Sequence, residues 1–323
     1  MKQEKILITG ALGFVGKHLA KLALAKGCEV HGIELKVPQG VSTNGVKIHK
    51  CDLCDGKAVN KTIRKINPAR IFHLAAQSSV SLSWKEAKKT FEVNIKGQLN
   101  LFDAVLSSKT NPVIVIACSA DEYGNPGKKN IPVKETTPLA PVSPYAISKT
   151  VQDLLAYEYN LRHGLKTVRI RAFTHTGPGR GEIFAESSFA KQIALIEAGR
   201  QEPTIKTGNL NAIRDFTDVR DFVSAYWAAS EKCKYGDVYN ICSGKGYRIR
   251  AVLAALLSMS KRKIRIEKDR DRLRPSDIPV LIGDNTKFIK QTGWKPKIGI
   301  TETLKDLLNY HREKQRAGKQ GAK

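Results

Sequence analysis

The chain has 323 residues, 41% of them hydrophobic and 26% charged, as expected of a globular protein with a substantial core. The sequence has no run of 18 apolar residues and no signal peptide at its start, MKQEKILITG, so we expect a cytoplasmic protein without a membrane span. The net charge of +25 would suit a nucleic-acid-binding protein, but the basic residues are scattered without an aromatic-basic module, so a polyanionic metabolite is the favoured partner.

Six short apolar runs alternate with helical patterns over the first 170 residues. The runs are rich in Ile and Val and lack two-residue alternation, as in parallel strands buried on both faces. The predicted strands are 5–9, 28–35, 45–52, 70–76, 112–119 and 166–173, and the predicted helices are 14–26, 57–66, 85–108 and 145–163. This order predicts the α/β class, with a doubly wound Rossmann-type parallel sheet.

The pattern becomes less regular after residue 174. A Gly-rich loop at 175–182 is followed by predicted helices at 184–199, from about 218 and at 301–313, and by a strand at 238–244. We predict three parts: a dinucleotide-binding domain over 1–173, a smaller C-terminal α/β substrate-binding subdomain over 174–315, and a basic flexible tail over 316–323. Some segments of the second part are expected to return to the first.

The cysteines offer one short motif, the isolated C-x-x-C of Cys51 and Cys54. A zinc site would need a second such pair or two suitably spaced histidines, and the sequence has neither. A redox pair would be expected at a helix start in a thioredoxin-like context. We therefore expect reduced structural thiols and no metal site.

A glycine triplet, Gly10, Gly13 and Gly16, joins the first strand to the first helix. Glycines at such a junction permit a tight turn, a close approach of the backbone to a pyrophosphate, and tight packing of helix on strand. The triplet predicts a dinucleotide site, to which Phe14 and Val15 at the helix start would contribute.

The second and third predicted strands end in carboxylates. Glu34 is placed to accept both hydroxyls of an adenosine ribose and to repel a 2′-phosphate, which favours NAD(H) slightly over NADP(H). Lys36 lies close enough to weaken this preference, and a solvated strand-end glutamate is the alternative interpretation. Asp52 is placed to meet the adenine edge, with Leu53 beside it.

Tyr145 and Lys149 lie four residues apart in SPYAISK and therefore share one helix face. A cation beside a phenol lowers the phenol's pKa, which lets the tyrosine exchange a proton with a carbinol or ketone oxygen. Ser119 ends a predicted strand at the sheet edge where α/β proteins bind ligands, and its hydroxyl can share that oxygen. Tyr-x-x-x-Lys alone is common by chance; the glycine turn and Ser119 make it specific.

These motifs occur in an order that resembles the extended short-chain dehydrogenase/reductase family of sugar-nucleotide epimerases, dehydratases and reductases. The segments TGALGFVG, FHLAA, CSADEYG, SPYAISK, VYNICSG and TGWKP carry the resemblance over nearly the whole chain. It implies a catalytic triad of Ser119, Tyr145 and Lys149 and a homodimer formed through the helices at 85–108 and 145–163. Tyr145 and Lys149 would also bind the cofactor, together with Leu74, Ala75, Ala76 and Asn94.

Segments 187–227 and 273–284 are most similar to the branch of the family that acts on GDP-mannose derivatives. The resemblance implies a GDP-sugar substrate, bound by Ser119, Thr174, Lys191, Arg214, Arg274 and Asp277. The two arginines would hold the diphosphate, for which their fork is suited. An ion pair with Asp215 or Asp218 is the alternative for Arg214, and an exposed loop charge is the alternative for Arg274. Thr174 stands where relatives usually carry Asn.

The reductases of this branch, which convert GDP-6-deoxy-4-keto-D-mannose to GDP-D-rhamnose, are more similar than the GDP-mannose 4,6-dehydratases. A dehydratase needs a further acid/base, and at that position Asp121 replaces a Glu; Glu122 beside it is the alternative acid if the backbone is shifted. Because Asp is one methylene shorter and about 1 Å of misplacement can cost ~10²-fold in rate, Asp121 favours the reductase. A non-catalytic nucleotide-sugar-binding or nucleic-acid-binding protein is a third alternative, which would not need the triad.

Overall fold

The computed structural model describes residues 3–37, 43–273 and 278–320. Its strands are β1 (Lys5–Thr9), β2 (Glu29–Glu34), β3 (Lys47–Lys50), β4 (Arg70–His73), β5 (Val113–Ser119), β6 (Lys166–Ala172), β7 (Thr174–Thr176), β8 (Thr204–Thr207), β9 (Ile213–Asp218), β10 (Val238–Ile241), β11 (Gly246–Arg248), β12 (Arg265–Lys268) and β13 (Val280–Leu281). Its α-helices are α1 (Phe14–Ala25), α2 (Gly56–Ile66), α3 (Val80–Lys85), α4 (Ala87–Phe91), α5 (Gly97–Ser107), α6 (Pro144–His163), α7 (Ala185–Glu197), α8 (Val219–Lys232), α9 (Ile249–Ser258), α10 (Thr286–Thr292) and α11 (Ile300–Gln320).

Seven parallel strands form the central sheet in the order β10-β6-β5-β4-β1-β2-β3. From β1 the chain first runs outward to β2 and β3 and then returns to the other side at β4. This reversal opens a crevice at the carboxyl ends of β1 and β4, which is where doubly wound sheets bind ligands. The predicted α/β class and Rossmann-type sheet are confirmed.

The outer strand β3 differs from the prediction of a buried strand. Its sequence, KIHK, is exposed at both lysines and half-buried between them. It pairs with β2 on one side and ends the sheet on the other. Lysines are common on such edges because they discourage pairing with a further chain.

Helices cover both faces of the sheet. Leu19 of α1 and Phe222 of α8 belong to the apolar cluster on one face, and Ile63 of α2, Phe102 of α5 and Ala156 of α6 to the cluster on the other. Across the described ranges, none of the helices is long and apolar enough to span a bilayer.

The single helix predicted over 85–108 is interrupted. A π-helical turn at Glu92–Lys96 lies between α4 and α5. The wider turn includes Asn94, whose buried side chain accepts a hydrogen bond from the Gln77 N–H and donates to the Gln77 carbonyl and to Ser148 on α6. Sequence periodicity does not reveal this turn.

Helix α6 begins and ends where local chemistry dictates. The Ser143 side chain caps it by accepting a hydrogen bond from the Ala146 N–H, and Pro144 occupies its first turn. Gly164 ends it in the left-handed conformation, at φ 67°. Tyr145 and Lys149 therefore occupy the first two turns of a 20-residue helix that is fixed at both ends.

A third apolar cluster lies beyond residue 174. It joins residues of α7, α9 and α11, among them Ile193, Leu253 and Leu307. Strands β7, β9, β11 and β13 form a four-stranded sheet beside it. Two later segments belong to the first unit, since β10 pairs with β6 and α8 packs against α1.

Candidate active site

A cavity of about 680 Å³ opens at the carboxyl ends of the central strands, within the range of about 300–1,000 Å³ typical of ligand sites. Predicted residues from both halves of the chain line it. They are Gly10, Gly13, Phe14, Val15, Gly16, Leu74, Ala75, Ala76, Ser119, Asp121, Tyr145, Lys149, Thr174 and Arg214. The structure thus brings together most of the residues selected from sequence.

The glycine turn has the close contacts that the motif requires. Gly10 adopts a φ of +74°, and a Cβ there would lie 3.2 Å from the backbone of Ala75. A Cβ on Gly16 would lie 2.1 Å from the Gly10 carbonyl oxygen, so any side chain is excluded. Among the described residues no side chain caps α1, and its N-terminus faces the cavity. A compact backbone turn that leads into an uncapped helix start fits a dinucleotide pyrophosphate.

Glu34 ends β2 against this turn, where its carboxylate accepts a hydrogen bond from the Leu12 N–H. Burial raises the pKa of Glu34, while the bond from Leu12 and the charge of Lys17 act in the opposite direction. The carboxylate is therefore anchored beside the turn, as a ribose-binding acid must be. Lys36 is exposed.

Asp52 and Leu53 lie outside the lining of the cavity. Asp52 is exposed and accepts a hydrogen bond of 2.8 Å from the Cys54 N–H. Leu53 is buried in the apolar cluster under α2 and α5. Cys51 and Cys54 are free thiols whose pKa values are raised by burial, which fits the predicted structural role.

The segment after β4 is held by the end of β1. The Thr9 hydroxyl accepts hydrogen bonds of 3.1 Å from the N–H groups of both Leu74 and Ala75. Asn94 does not line the cavity; its amide is engaged with Gln77 and Ser148. Asn94 thereby links the segment after β4 to α6, where its partner Ser148 immediately precedes Lys149.

Tyr145 and Lys149 do not interact in the predicted way. The Lys149 ammonium donates a 2.7 Å hydrogen bond to the Ala117 carbonyl, and burial lowers its pKa to about 8. Burial raises the pKa of Tyr145 well above its ordinary value; Asp121 adds to this and a hydrogen bond with Ser119 opposes it. The expectation of a tyrosine made more acidic by its lysine is wrong for this state of the protein, because desolvation dominates. Tyr145 is a protonated phenol at neutral pH.

Ser119 is fixed by a capping box at the end of β5. Its N–H donates a 2.7 Å hydrogen bond to Glu122, and its hydroxyl accepts one of 3.2 Å from the Asp121 N–H. Asp121 lines the cavity, but Glu122 is fully buried below it. Glu122 is therefore not a second acid for the substrate, contrary to the possibility left open by sequence.

Beneath the site lies a buried group of charges that sequence reasoning missed. Asp153 of α6 accepts hydrogen bonds of 2.5 Å from Arg169 and 2.7 Å from Arg171, and Arg171 also lies 3.5 Å from Glu122. Ligand atoms of Cys118, Glu122 and Asp153 lie within 4.8 Å of one another, a spacing that suits a metal ion. The two guanidinium groups already supply positive charge there.

The substrate residues expected from sequence are only partly brought together. Arg214 on β9 lines the cavity, and its guanidinium donates a 2.9 Å hydrogen bond to the Ile213 carbonyl. The Asp215 carboxylate accepts hydrogen bonds from the Ser243 hydroxyl and from the N–H groups of Ser243, Gly244 and Gly283. Lys191 pairs with Glu182 and does not line the cavity. Arg274 and Asp277 lie outside the described residues.

Sequence reasoning did not select three further residues of the cavity wall, Arg180, Phe184 and Glu186. Arg180 belongs to the Gly-rich loop, where a basic residue among glycines was the available signal. His175 is a structural histidine, because its ring stacks between Phe14 and Phe222. Burial lowers its pKa to about 3.

A glycine turn and a Ser-Tyr-Lys set around one cavity, with the Glu34 carboxylate anchored against the turn, define a nicotinamide-dependent oxidoreductase of the short-chain type. Residues 7–307 match the model of the GDP-mannose 4,6 dehydratase family, and the chain belongs to this family. The match confirms the resemblance to sugar-nucleotide enzymes of the extended short-chain type and the expected nicotinamide cofactor.

The sequence is similar to curated proteins with two related activities. It is 31% identical to a GDP-6-deoxy-D-mannose reductase of Pseudomonas aeruginosa, over 95% of this chain and 96% of that protein. It is 30% identical to the human GDP-mannose 4,6 dehydratase, over 94% of this chain and 90% of that protein. This chain is therefore a GDP-sugar enzyme of the dehydratase or reductase type.

Two solved structures show the same fold over almost the full chain. The structure of RMD from Pseudomonas aeruginosa complexed with NADPH has a TM-score of 0.84 and 28% identity, covering 97% of this chain and all of that one. The Thermus thermophilus UDP-glucose 4-epimerase complex with NAD has a TM-score of 0.85 and 27% identity, covering 95% of this chain and 99% of that one.

Proposed function

We propose that this protein reduces the 4-keto group of GDP-6-deoxy-4-keto-D-mannose, with NADH or NADPH, to give GDP-D-rhamnose. The observation that carries the proposal is the Tyr145 phenol, kept protonated by burial beside Ser119 in the cavity that contains the glycine turn. Reduction of a ketone consumes one proton at oxygen, and a protonated phenol can supply it. The similarity to a GDP-6-deoxy-D-mannose reductase supports the same reaction.

In the proposed reduction, each residue of the Ser-Tyr-Lys set would have its own role. Tyr145 gives its proton to O4 of the sugar while the Ser119 hydroxyl donates a hydrogen bond to the same oxygen and orients it. Lys149 holds the ribose next to the nicotinamide. The bound cofactor supplies the hydride that is added at C4.

Glu34 supports a preference for NADH. Its carboxylate lies against the glycine turn, where it can accept both hydroxyls of the adenosine ribose and would repel a 2′-phosphate. The relative with the NADPH complex shows that the same fold also accepts the phosphorylated cofactor. Glu34 is therefore the residue on which the choice depends in this chain.

The GDP group would be bound from the second half of the chain. Arg214 is placed in the cavity wall, where its guanidinium can bind a phosphate oxygen bidentately. Thr174 also lines the cavity and offers a hydroxyl toward the sugar. Arg274, Asp277 and Lys191 remain proposed contacts from the resemblance alone.

GDP-mannose 4,6-dehydration is the second candidate, because Asp121 lines the cavity near Tyr145. A dehydratase must also move the C5 proton and expel water from C6, which requires such a carboxylate. In our proposal Asp121 is too short for this role. Asp121→Glu should then gain measurable dehydration of GDP-mannose, whereas Asp121→Asn should not.

A paired assay separates the candidates. The protein is incubated with GDP-mannose alone, and separately with the 4-keto-6-deoxy sugar and NADH or NADPH, and products are separated by chromatography. Turnover of only the keto sugar is expected. Conversion of GDP-mannose by the unmodified protein would instead assign it to the dehydratases, and tight GDP or nucleic-acid binding without either reaction would indicate a binding protein.

We also propose a homodimer formed through α6 and the helical segment before β5. Ile147, Leu154 and Leu161 of α6 expose 42%, 53% and 66% of their surface, which is a large apolar area for one helix. Sedimentation analysis should give twice the chain mass, and Leu154→Glu with Leu161→Glu should give the monomer.

A further inference from the structure

A second tyrosine, Tyr226 of α8, reaches the cavity from the face of the sheet opposite to Tyr145. Its ring belongs to the apolar cluster of α1 and α8, whereas Tyr145 stands on α6, which covers the other face. Only 2% of Tyr226 is exposed, yet the residue lines the cavity. Two buried phenols therefore approach one cavity from opposite faces of the sheet.

The Tyr226 hydroxyl has no hydrogen-bond partner among the described residues, although its ring is well packed. Phe222 lies edge-on to the ring, with 5.1 Å between the two centroids. The small exposed part of Tyr226 includes the hydroxyl oxygen, so a molecule in the cavity can reach it. Buried polar groups without partners are uncommon and call for a ligand or another explanation. Because a phenylalanine would fill the same apolar space without a polar atom, packing alone does not account for the hydroxyl.

The Tyr226 hydroxyl carries a proton at neutral pH. Burial, followed by the nearby Cys118 and Tyr145, raises the pKa of Tyr226 well above its ordinary value. A phenol that keeps its proton can donate a hydrogen bond to a neutral acceptor such as an amide oxygen. The influence of Tyr145 also shows that the two hydroxyls lie within electrostatic range of each other.

The surroundings of Tyr226 belong to the cofactor side of the cavity. Val15 of the glycine turn and Leu74 after β4 pack against the apolar cluster that contains Tyr226, and both line the cavity. The expected substrate residues Thr174 and Arg214 come instead from β7 and β9. A ligand of Tyr226 is therefore expected to be part of the cofactor.

The nicotinamide is the part of the cofactor that comes close to Tyr145. In the proposed reduction its ring must contact the sugar carbon whose oxygen is held by Tyr145, because reacting atoms meet at about 3–3.5 Å. The carboxamide is the only hydrogen-bonding substituent of that ring, and its oxygen is an acceptor. Tyr226 offers an unpaired donor within electrostatic range of the same place.

We propose that the Tyr226 hydroxyl donates a hydrogen bond to the carboxamide oxygen of the nicotinamide cofactor. A carboxamide held at one position fixes which face of the ring meets the sugar, so Tyr226 orients the hydride donor while Tyr145 supplies the proton. This inference rests on the proposed function only in placing the nicotinamide ring at Tyr145.

Titration calorimetry with NADH and with ADP-ribose tests the proposal, because ADP-ribose has every part of NADH except the nicotinamide. Tyr226→Phe removes only the hydroxyl. It should weaken NADH binding about 3- to 10-fold, the range for one neutral hydrogen bond, and should leave ADP-ribose binding unchanged. The thionicotinamide analogue of NADH, in which a sulfur atom replaces the carboxamide oxygen, is a weaker acceptor. The ratio of wild-type to variant affinity should therefore fall toward one for this analogue.

Tyr239→Phe is the matched control, since it makes the same change in the same apolar cluster. Tyr239 is 1% exposed, and its hydroxyl accepts a 3.2 Å hydrogen bond from the Lys234 N–H. This variant should lower the midpoint of urea unfolding and leave the ratio of NADH to ADP-ribose affinity unchanged. Tyr226→Phe should not lower the midpoint, because its hydroxyl has no protein partner to lose.

Three results would overturn the proposal. NADH could bind to Tyr226→Phe as tightly as to the wild type; NADH and ADP-ribose could lose affinity equally, with a lowered urea midpoint, as for a structural hydroxyl; or only the KM for the keto sugar could rise, which would place the hydroxyl at the substrate. The titrations contain no sugar, so a protein that shows the expected affinities but reduces no keto sugar would reject the proposed reaction alone.

Discussion

The buried carboxylate of Glu122 offers a test of the electrostatics beneath the site. Its Oε1 accepts the Ser119 N–H, whereas its Oε2 has no hydrogen-bond donor among the described residues. Arg171, 3.5 Å away, is already committed to Asp153 at 2.7 Å. Burial, followed by the charge of Asp153, raises the pKa of Glu122 well above its ordinary value. If Oε2 carried a proton, it could donate a hydrogen bond to the Asp153 carboxylate and would no longer lack a partner.

The sign of the pH effect follows from this raised pKa. Above about pH 4.5 the unfolded chain has lost the Glu122 proton while the folded chain keeps it, so stability falls as pH rises toward the folded pKa. The slope is at most about 1.4 kcal/mol per pH unit for one proton. Glu122→Gln keeps a carbonyl for Ser119 and a donor for Asp153 but does not titrate. Its stability relative to the wild type should therefore increase with pH.

Asp153→Asn is the matched control, since it makes the same carboxylate-to-amide change in the same group of charges. Carboxylate oxygens of Glu122 and Asp153 lie within 4.8 Å of each other. Asp153 is the acceptor for Arg169 and Arg171, so the variant leaves two buried cations without their anion and should lose about 3–5 kcal/mol. Urea unfolding at about pH 5.5, 7.0 and 8.5 measures the free energy of unfolding of both variants and of the wild type. A loss of similar size for Glu122→Gln at every pH would show that Glu122 is ionised and paired with Arg171.

Three predictions concern the reaction itself. Tyr145→Phe should lower kcat by about 10²- to 10⁴-fold while calorimetry shows NADH binding within about twofold of wild type; retained turnover would remove the phenol from catalysis. Because burial lowers the pKa of Lys149 to about 8, NADH affinity should fall as the ammonium loses its proton above that pH. Lys149→Arg, which stays charged, should bind without this pH dependence, and a similar decline in that variant would assign the titration elsewhere. Glu34→Gln removes the charge that opposes a 2′-phosphate, so the ratio of kcat/KM for NADPH to that for NADH should rise about tenfold, and an unchanged ratio would exclude Glu34 as the selective residue.

The sheet and its site edge were predictable because their signals are local and repeated. Gly10 is required locally by its positive φ and Gly16 by its contact with the Gly10 carbonyl, and the Ile- and Val-rich strands mark a sheet covered on both faces. The four-residue spacing of Tyr145 and Lys149 needs only a helix to place them on one face.

The features that sequence missed depend on contacts between distant segments. The π-helical turn is fixed by Asn94 bonding to Ser148, 54 residues later. Glu122 and Asp121 are neighbours in sequence, yet one is buried with Arg171 and the other lines the cavity. Arg180 of the Gly-rich loop lies over the ring of Phe14, which comes from the first helix of the chain. No periodicity or motif spacing reports such pairings.

The protonation of the site also bears on the direction of the chemistry. A dehydratase starts by oxidising the C4 hydroxyl, which requires a tyrosine able to accept a proton, whereas a reductase starts with a tyrosine that carries one. In this chain burial and the charge of Asp121 both raise the pKa of Tyr145, and Lys149 is turned toward the Ala117 carbonyl. The free protein therefore starts with this proton on the phenol, as a reduction requires. In our proposal Asp121 favours the reductase through its short side chain, whereas its charge raises the pKa of Tyr145 and so makes the phenol a weaker proton donor.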